Sequence, residues 1–183
     1  MKFKQTKLAD CYVIELDRFS DSRGWFSRTF CSEEFKSIGL EDAWKQHNHS
    51  FTVKKGTIRG LHYQKMPATE IKLIRCIAGK VYDVALDLRS ESSTYLKWHA
   101  EELSAENQKM IFIPKGFAHG FQTLTDNAEL LYCHSETYQP EYEMGLNYSD
   151  QKLQIQWPLS ITEISDRDKN HPFINVDFEG VTF

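Results

Sequence analysis

Four short stretches of the chain concentrate side chains that can move protons or hold anions. Gly56-Thr-Ile-Arg-Gly-Leu-His-Tyr-Gln64 places Arg59, His62, Tyr63 and Gln64 in what otherwise reads as a strand. A buried strand has little structural use for so many polar groups, since each one left without a partner costs about 1–3 kcal/mol. Histidine titrates near neutral pH, so His62 is a candidate base, beside the plain alternative of a structural histidine with satisfied nitrogens. Strict alternation sends Arg59 and His62 to opposite faces, but Gly60 between them offers a place for a bulge that re-aims one. Ile113-Pro-Lys-Gly-Phe-Ala-His-Gly-Phe121 adds His119. Phe19-Ser-Asp-Ser-Arg-Gly-Trp-Phe26 sets Arg23 in a glycine turn among aromatic rings. A guanidinium fork suits phosphate oxygens and flanking rings can stack on a base, the alternative being a solvated turn arginine. Glu129 to Tyr138 carries Tyr132 mid-strand and Tyr138 beyond it, either of which could equally be a core ring.

Positioning these groups falls to strands. Between Lys80 and Arg89, Tyr82, Val84, Leu86 and Leu88 share one face, and Asp83, Ala85, Asp87 and Arg89 the other, which predicts one packed and one polar side. Further strands are predicted at Cys11 to Leu16, Trp25 to Cys31, Trp44 to Lys54, Thr57 to Tyr63, Ile71 to Ile77, Leu96 to Leu103, Lys109 to Ile113, Gly116 to Leu124 and Glu129 to Glu136. Turn signals such as Lys55-Gly56, Gly79-Lys80 and Pro114-Lys115-Gly116 separate them. One helix is expected from Glu33 to Ile38, with Ser32 as N-cap and Gly39 as stop, and a short one around Glu141 to Met144. So many short strands hide their edges by closing into a barrel or a two-sheet jelly roll, giving an all-β fold with a few short peripheral helices. No linker or repeat divides residues 1–183, so a single domain is expected. The end of the chain loses alternation and carries Asp166, Arg167, Asp168, Lys169 and His171, as a segment wrapping the barrel surface would.

Composition narrows the partners. With 22 Lys+Arg against 26 Asp+Glu, the formal charge is -4, without the basic excess that nucleic acid requires. No apolar run approaches the ~18 residues of a membrane span, and Asp and Lys interrupt the start of the chain where a signal peptide would be apolar. A soluble cytoplasmic protein is therefore expected. Cys11, Cys31, Cys76 and Cys133 lie far apart with no C-x-x-C, pointing to reduced, mostly buried thiols.

The P-x-G-x-x-H core of Ile113 to Phe121 resembles the second motif of the cupin superfamily, a family of small jelly-roll barrels. Many cupins bind a metal through an H-x-H pair and a Glu in the first motif. Here Gln64 stands in the companion position of His62, although His62, Glu70 and His119 could still supply two histidines and one carboxylate, a set that suits non-haem iron. Over nearly the whole chain, the sequence resembles the dTDP-4-dehydrorhamnose 3,5-epimerase family. The matching runs are Asp21-x-Arg23-Gly24-x-Phe26, Gln46-x-Asn48-x-Ser50, Gly56-x-x-Arg59-Gly60-Leu61-His62-Tyr63-Gln64, Lys72-Leu73-x-Arg75, Asp83-Val84-Ala85-x-Asp87-Leu88-Arg89, Ile113-Pro114-x-Gly116-Phe117-Ala118-His119-Gly120-Phe121 and Ile164-Ser165-x-x-Asp168. The resemblance implies a cupin-like jelly roll, a homodimer that exchanges N-terminal strands, a nucleotide-linked 4-keto-6-deoxy sugar as substrate, and catalysis with no metal and no organic cofactor.

In a 4-keto sugar the ketone acidifies the hydrogens on C3 and C5, and inversion needs a base on one face and an acid on the other. The resemblance makes His62 the base, Asp168 its partner, Lys72 the cation facing the oxyanion with Asp83 orienting it, and Tyr132 the acid. It also implies that His119, Arg59 and Gln46 or Asn48 line the pocket. Arg23 and Arg59 would grip the diphosphate, Tyr138 and Phe19 would lie where the base stacks, and Phe26 would be a further substrate-binding residue. Two departures stand out. Arg28 occupies a position where thymine-reading members commonly carry Glu, and a guanidinium suits the acceptors of cytosine if it faces the base. Glu70-Ile71 replaces the usual Gln-Gly before the lysine. The expected activity is 3,5-epimerisation of a dTDP-4-keto-6-deoxyhexose for a surface polysaccharide. A sibling acting on a CDP or GDP sugar or inverting one centre is the alternative, and a metal-dependent cupin oxygenase or isomerase a more distant one.

Overall fold

The computed structural model describes residues 1–40 and 43–183. In chain order the strands are β1 (Lys2–Gln5), β2 (Tyr12–Glu15), β3 (Phe19–Asp21), β4 (Gly24–Phe26), β5 (Gln46–Thr52), β6 (Thr57–Gln64), β7 (Lys72–Ala78), β8 (Lys80–Asp87), β9 (Trp98–Ser104), β10 (Met110–Ile113), β11 (Phe117–Thr123), β12 (Ala128–His134), β13 (Glu143–Gly145) and β14 (Glu163–Ile164). Two short helices, α1 (Ser32–Lys36) and α2 (Asp166–Lys169), lie outside them. One sheet runs β1-β2-β10-β7-β12-β5 and the other β13-β6-β11-β8-β9, with β14 parallel to β6. The β3–β4 hairpin forms a sheet of its own. This is the two-sheet jelly roll expected from the strand pattern, of the cupin-like kind that the resemblance implied.

Period-two alternation explains how three apolar layers arise from two sheets. Ile74, Val81, Ala85, Ile111 and Phe121 point into the space between the sheets. Ile14, Leu73, Met110 and Phe112, on the opposite face of the first sheet, pack against Phe35 of α1. Leu61, Val84, Leu86 and Leu88, on the outer face of the second sheet, are covered by Leu146, Leu153, Ile174 and Val181 of the C-terminal segment. The tail therefore does wrap the roll. Coverage of both faces corrects the expectation of a polar side on β8, because Asp83 and Asp87 are fully buried in the interior. Asp87 is held there by Arg89, Ser92 and Thr94 at 2.6–3.0 Å.

Boundaries moved where hydrogen bonding overrode the local pattern. Cys31, not Ser32, is the N-cap of α1 and makes no side-chain cap bond, and the helix ends at Lys36 with Ser37 as C-cap, short of the expected Ile38; Gly39, at φ +77°, closes the turn that follows. The strand expected from Trp25 to Cys31 shrinks to a three-residue arm of the hairpin. In place of a helix around Glu141 to Met144 stands a 3-10 turn at Pro140–Tyr142, after which β13 joins the edge of β6, where main-chain groups were still unpaired. The four cysteines are free thiols, with Cys11 and Cys76 buried and Cys31 and Cys133 half-buried.

Candidate active site

The bulge that the sequence allowed at Gly60 exists. His62 pairs with His119 and Arg59 with Phe121, so two residues of β6 oppose the single Gly120 of β11. Gly60 has φ +123°, and a Cβ there would stand 2.5 Å from the Gly120 Cα, so glycine is required on both counts. The extra residue brings Arg59 and His62 to the same cavity, about 570 Å³ between the sheets.

His62 Nε2 lies 2.9 Å from Asp168 Oδ1. The other carboxylate oxygen accepts the Gly60 N–H at 3.0 Å, and Asp168 itself sits in the first turn of α2, its N–H donated to the Ser165 cap at 3.1 Å. Burial raises the Asp168 carboxyl, but the bonds from His62, Gly60 and Ser165 outweigh it and hold Asp168 far below the usual carboxylate range. An ionised Asp168 fixes the tautomer of His62 with the proton on Nε2, leaving Nδ1 as the basic nitrogen. Arg167 Nη2 approaches His62 Nε2 at 3.2 Å and is braced by Glu143 at 3.1 Å, whose Oε2 accepts the Tyr138 hydroxyl at 2.7 Å.

The facing wall comes from the first sheet. Tyr132 on β12 stands with its hydroxyl 3.2 Å from Ser50 Oγ of β5, and burial pushes that phenol strongly upward, so it holds its proton. Lys72 Nζ lies 3.3 Å from Glu70 Oε1 and 3.4 Å from the His62 carbonyl oxygen. The expected orienting residue, Asp83, is engaged elsewhere: its Oδ2 is 2.9 Å from His119 Nε2. Burial lowers the His119 pKa, and Asp83 pulls back only in part, which keeps that imidazole neutral. Gln46 and Asn48 bond each other at 3.0 Å, and Gln46 also accepts the Tyr138 N–H at 2.9 Å. Arg59 is exposed and donates to the Phe51 carbonyl at 3.1 Å.

Seven expected residues do not line this cavity: Asp168, Asp83 and Gln46 stand behind it, bonded to His62, His119 and Asn48, and four others lie away from it. Phe19 and Phe26 are 69% and 70% exposed on the β3–β4 hairpin, and Arg23, on its turn, pairs with Asp21 at 2.6 Å. Arg28 pairs with Glu34 of α1 at 2.7 Å. The rival metal trio is not assembled, because Glu70 is taken by Lys72 and His134 and His119 by Asp83. Among the described residues, the metal-type donors that do converge are His62, Asp168 and His171, within 4.8 Å, and there the Arg167 guanidinium already stands against His62 Nε2. Sequence reasoning passed over Ser50, His134, Glu143 and Arg167. His134 shares the face of Tyr132 two residues earlier, as Ser50 shares that of Asn48, so alternation could have flagged both; Glu143 and Arg167 meet only through the path of the tail.

A His–Asp dyad at one sheet, a buried phenol from the facing sheet and a buried ammonium beside them are the groups an acid–base isomerase of the jelly-roll kind would use. The family model described as dTDP-4-dehydrorhamnose 3,5-epimerase matches residues 5–175. The dTDP-4-dehydrorhamnose 3,5-epimerase of Shigella flexneri is 40% identical over 180 residues, spanning 97% of this chain and 99% of its own. A crystal structure of dTDP-6-deoxy-D-glucose-3,5-epimerase from Legionella pneumophila in complex with dTDP-4-keto-L-rhamnose aligns at TM-score 0.92 and 35% identity, covering 100% of this chain and 98% of the other. A 3'-monoepimerase from Streptomyces bikiniensis in complex with dTDP-quinovose aligns at TM-score 0.85 and 32% identity, covering 92% and 85%. The chain belongs to the dTDP-4-dehydrorhamnose 3,5-epimerase family.

Proposed function

We propose that the chain inverts C3 and C5 of a dTDP-linked 4-keto-6-deoxyhexose by paired proton transfers through an enolate. The observation that carries this reading is the placement of base and acid on opposite sheets, with the sugar-sized cavity between them. His62 Nδ1 takes the proton from carbon, and the electron pair moves onto the ketone oxygen. Asp168 stabilises the imidazolium so formed. Lys72 and neutral His119 face the developing oxyanion, so that the transition state gains more than the ground state. Tyr132 then delivers a proton to the opposite face of the same carbon, and solvent restores both groups before the second centre reacts.

The nucleotide is bound by a homodimer that exchanges hairpins. Three features support this: the β3–β4 hairpin pairs only with itself, it exposes Phe19, Trp25 and Phe26, and none of its residues lines its own cavity. In a partner's cavity, Arg23 would meet the diphosphate with Arg59, and Phe19, Phe26 and Tyr138 would stack on the base. Arg28 pairs with Glu34 of its own α1, so reading the base would require it to leave that partner.

The test is mass spectrometry of deuterium uptake in D2O with dTDP- and CDP-4-keto-6-deoxyglucose. Two deuterons on the dTDP sugar are expected. One deuteron would make the chain a single-centre enzyme, and uptake confined to the CDP sugar would overturn the nucleotide.

A further inference from the structure

Lys72 is 7% exposed, and an ammonium buried this far needs a counter-charge, since without one its proton is lost more readily. Glu70 supplies it, with Oε1 3.3 Å from Nζ. The second oxygen of Glu70 lies 2.7 Å from His134 Nδ1. His134 Nε2 in turn lies 3.3 Å from the Asn48 amide nitrogen, an order of bonds in which Asn48 donates to Nε2 and Nδ1–H is aimed at Glu70. Burial pushes the Glu70 carboxyl up, but Lys72 and His134 outweigh it and keep it ionised below the usual range. Asp83 has not taken this role: one of its oxygens is bound to His119 and the other, Oδ1, is buried with no hydrogen-bond partner.

We infer that Glu70 and His134 form a second carboxylate–imidazole dyad, which acts on Lys72 and not on the substrate. It rests on the epimerase reading above and deepens it: His62–Asp168 governs the base, and Glu70–His134 governs the cation that meets the oxyanion. Glu70 is thus a positioning residue for Lys72, holding Nζ in place as its buried counter-charge, and His134 sets the orientation of Glu70.

The test is steady-state deuterium uptake by E70Q, E70D, K72M and the E70Q/K72M pair across pH. Glutamine keeps the shape and can still accept the His134 N–H, but lacks the charge. E70Q is expected to lose roughly tenfold or more in kcat with KM changed less than about threefold, and to lose activity at a lower alkaline pH than the wild type. E70D should recover part of kcat, and adding E70Q to K72M should cost nothing further, because the two act as one unit. The other titratable or charged groups around this cavity are His47 and His49 on β5, Arg59, His62 and Tyr63 on β6, His119 on β11, Tyr132 on β12, Tyr138, Glu143 on β13 and Arg167 on α2, with Asp83 and Asp168 behind them, and all are retained in E70Q. Wild-type kcat with an unmoved alkaline limb in E70Q, or losses that multiply in the double variant, would overturn the inference. Should E70Q not fold, H134Q, which can still donate to Glu70, should outperform H134L; equal rates would overturn it likewise. A wild-type protein that takes up no deuterium sinks the epimerase reading, whereas a working wild type beside an indifferent E70Q removes this inference alone.

Discussion

At the scale of single residues, the proposed mechanism divides the site into groups that touch the reacting carbon and groups that hold them. In it His62 and Asp168, joined at 2.9 Å, act as one base, so His62→Ala and Asp168→Ala should each cut deuterium uptake by roughly 10²–10⁴-fold. Near-normal uptake in either variant would break the dyad. Tyr132→Phe removes the acid but leaves the base, and should slow inversion by about 10²-fold while some exchange persists. Total loss of exchange in Tyr132→Phe would show that Tyr132 is needed for abstraction as well. Burial is what suits these residues to their parts. It holds the Tyr132 phenol protonated and the His119 imidazole neutral, while hydrogen bonds overcome it at Asp168 and keep that carboxylate charged.

At the scale of elements, the decisive one is the bulged strand β6. Its extra residue turns an alternating strand, which would separate Arg59 from His62, into one that presents both to the cavity. Gly60→Ala must move either β6 or β11, since the new methyl meets the Gly120 backbone and the φ is one that L residues avoid. A loss of about 2 kcal/mol or more in urea denaturation is expected, with uptake falling further than stability alone explains. An unchanged midpoint would mean that the bulge can relocate. The α2 turn works differently: four residues with a Ser165 cap would not persist alone, and it is the packing of the tail on the second sheet that brings Asp168 within reach of β6.

At the scale of the whole molecule, the buried charges tie stability to pH. The folded pKa of His119 lies below its ordinary value of ~6.5, so below that pH the unfolded chain binds a proton that the folded protein refuses. Its contribution is complete above ~6.5 and is lost as pH falls toward the folded value. Asp168 adds a second window: its contribution is present above ~3.9 and disappears as pH falls toward its depressed folded value. The urea midpoint should therefore drop between pH 7.5 and 5 and again below 4, and His119→Gln should flatten the first drop. A midpoint flat from pH 7.5 to 5 in the wild type would contradict the assignment. The proposed hairpin exchange belongs to this scale too: light scattering should give twice the 21.4 kDa chain mass, and a chain that stays monomeric would leave its cavity without the hairpin's aromatic rings.

Much of this was legible in the amino-acid order. Alternation and turn residues determined most of the strands and the jelly roll, because these are local patterns written in period two, and the family resemblance carried by the spaced motifs implied His62, Asp168, Lys72 and Tyr132 as candidates. The tertiary structure alone decided which groups are partners. That Lys72 is held by Glu70 and Asp83 by His119, that Arg167 and Glu143 brace the base, and that both faces of β8 are covered depend on strands and a tail far apart in the chain. Local periodicity sets the face on which a side chain lies, whereas its partner is set by long-range register and by which charge can be neutralised once water is excluded.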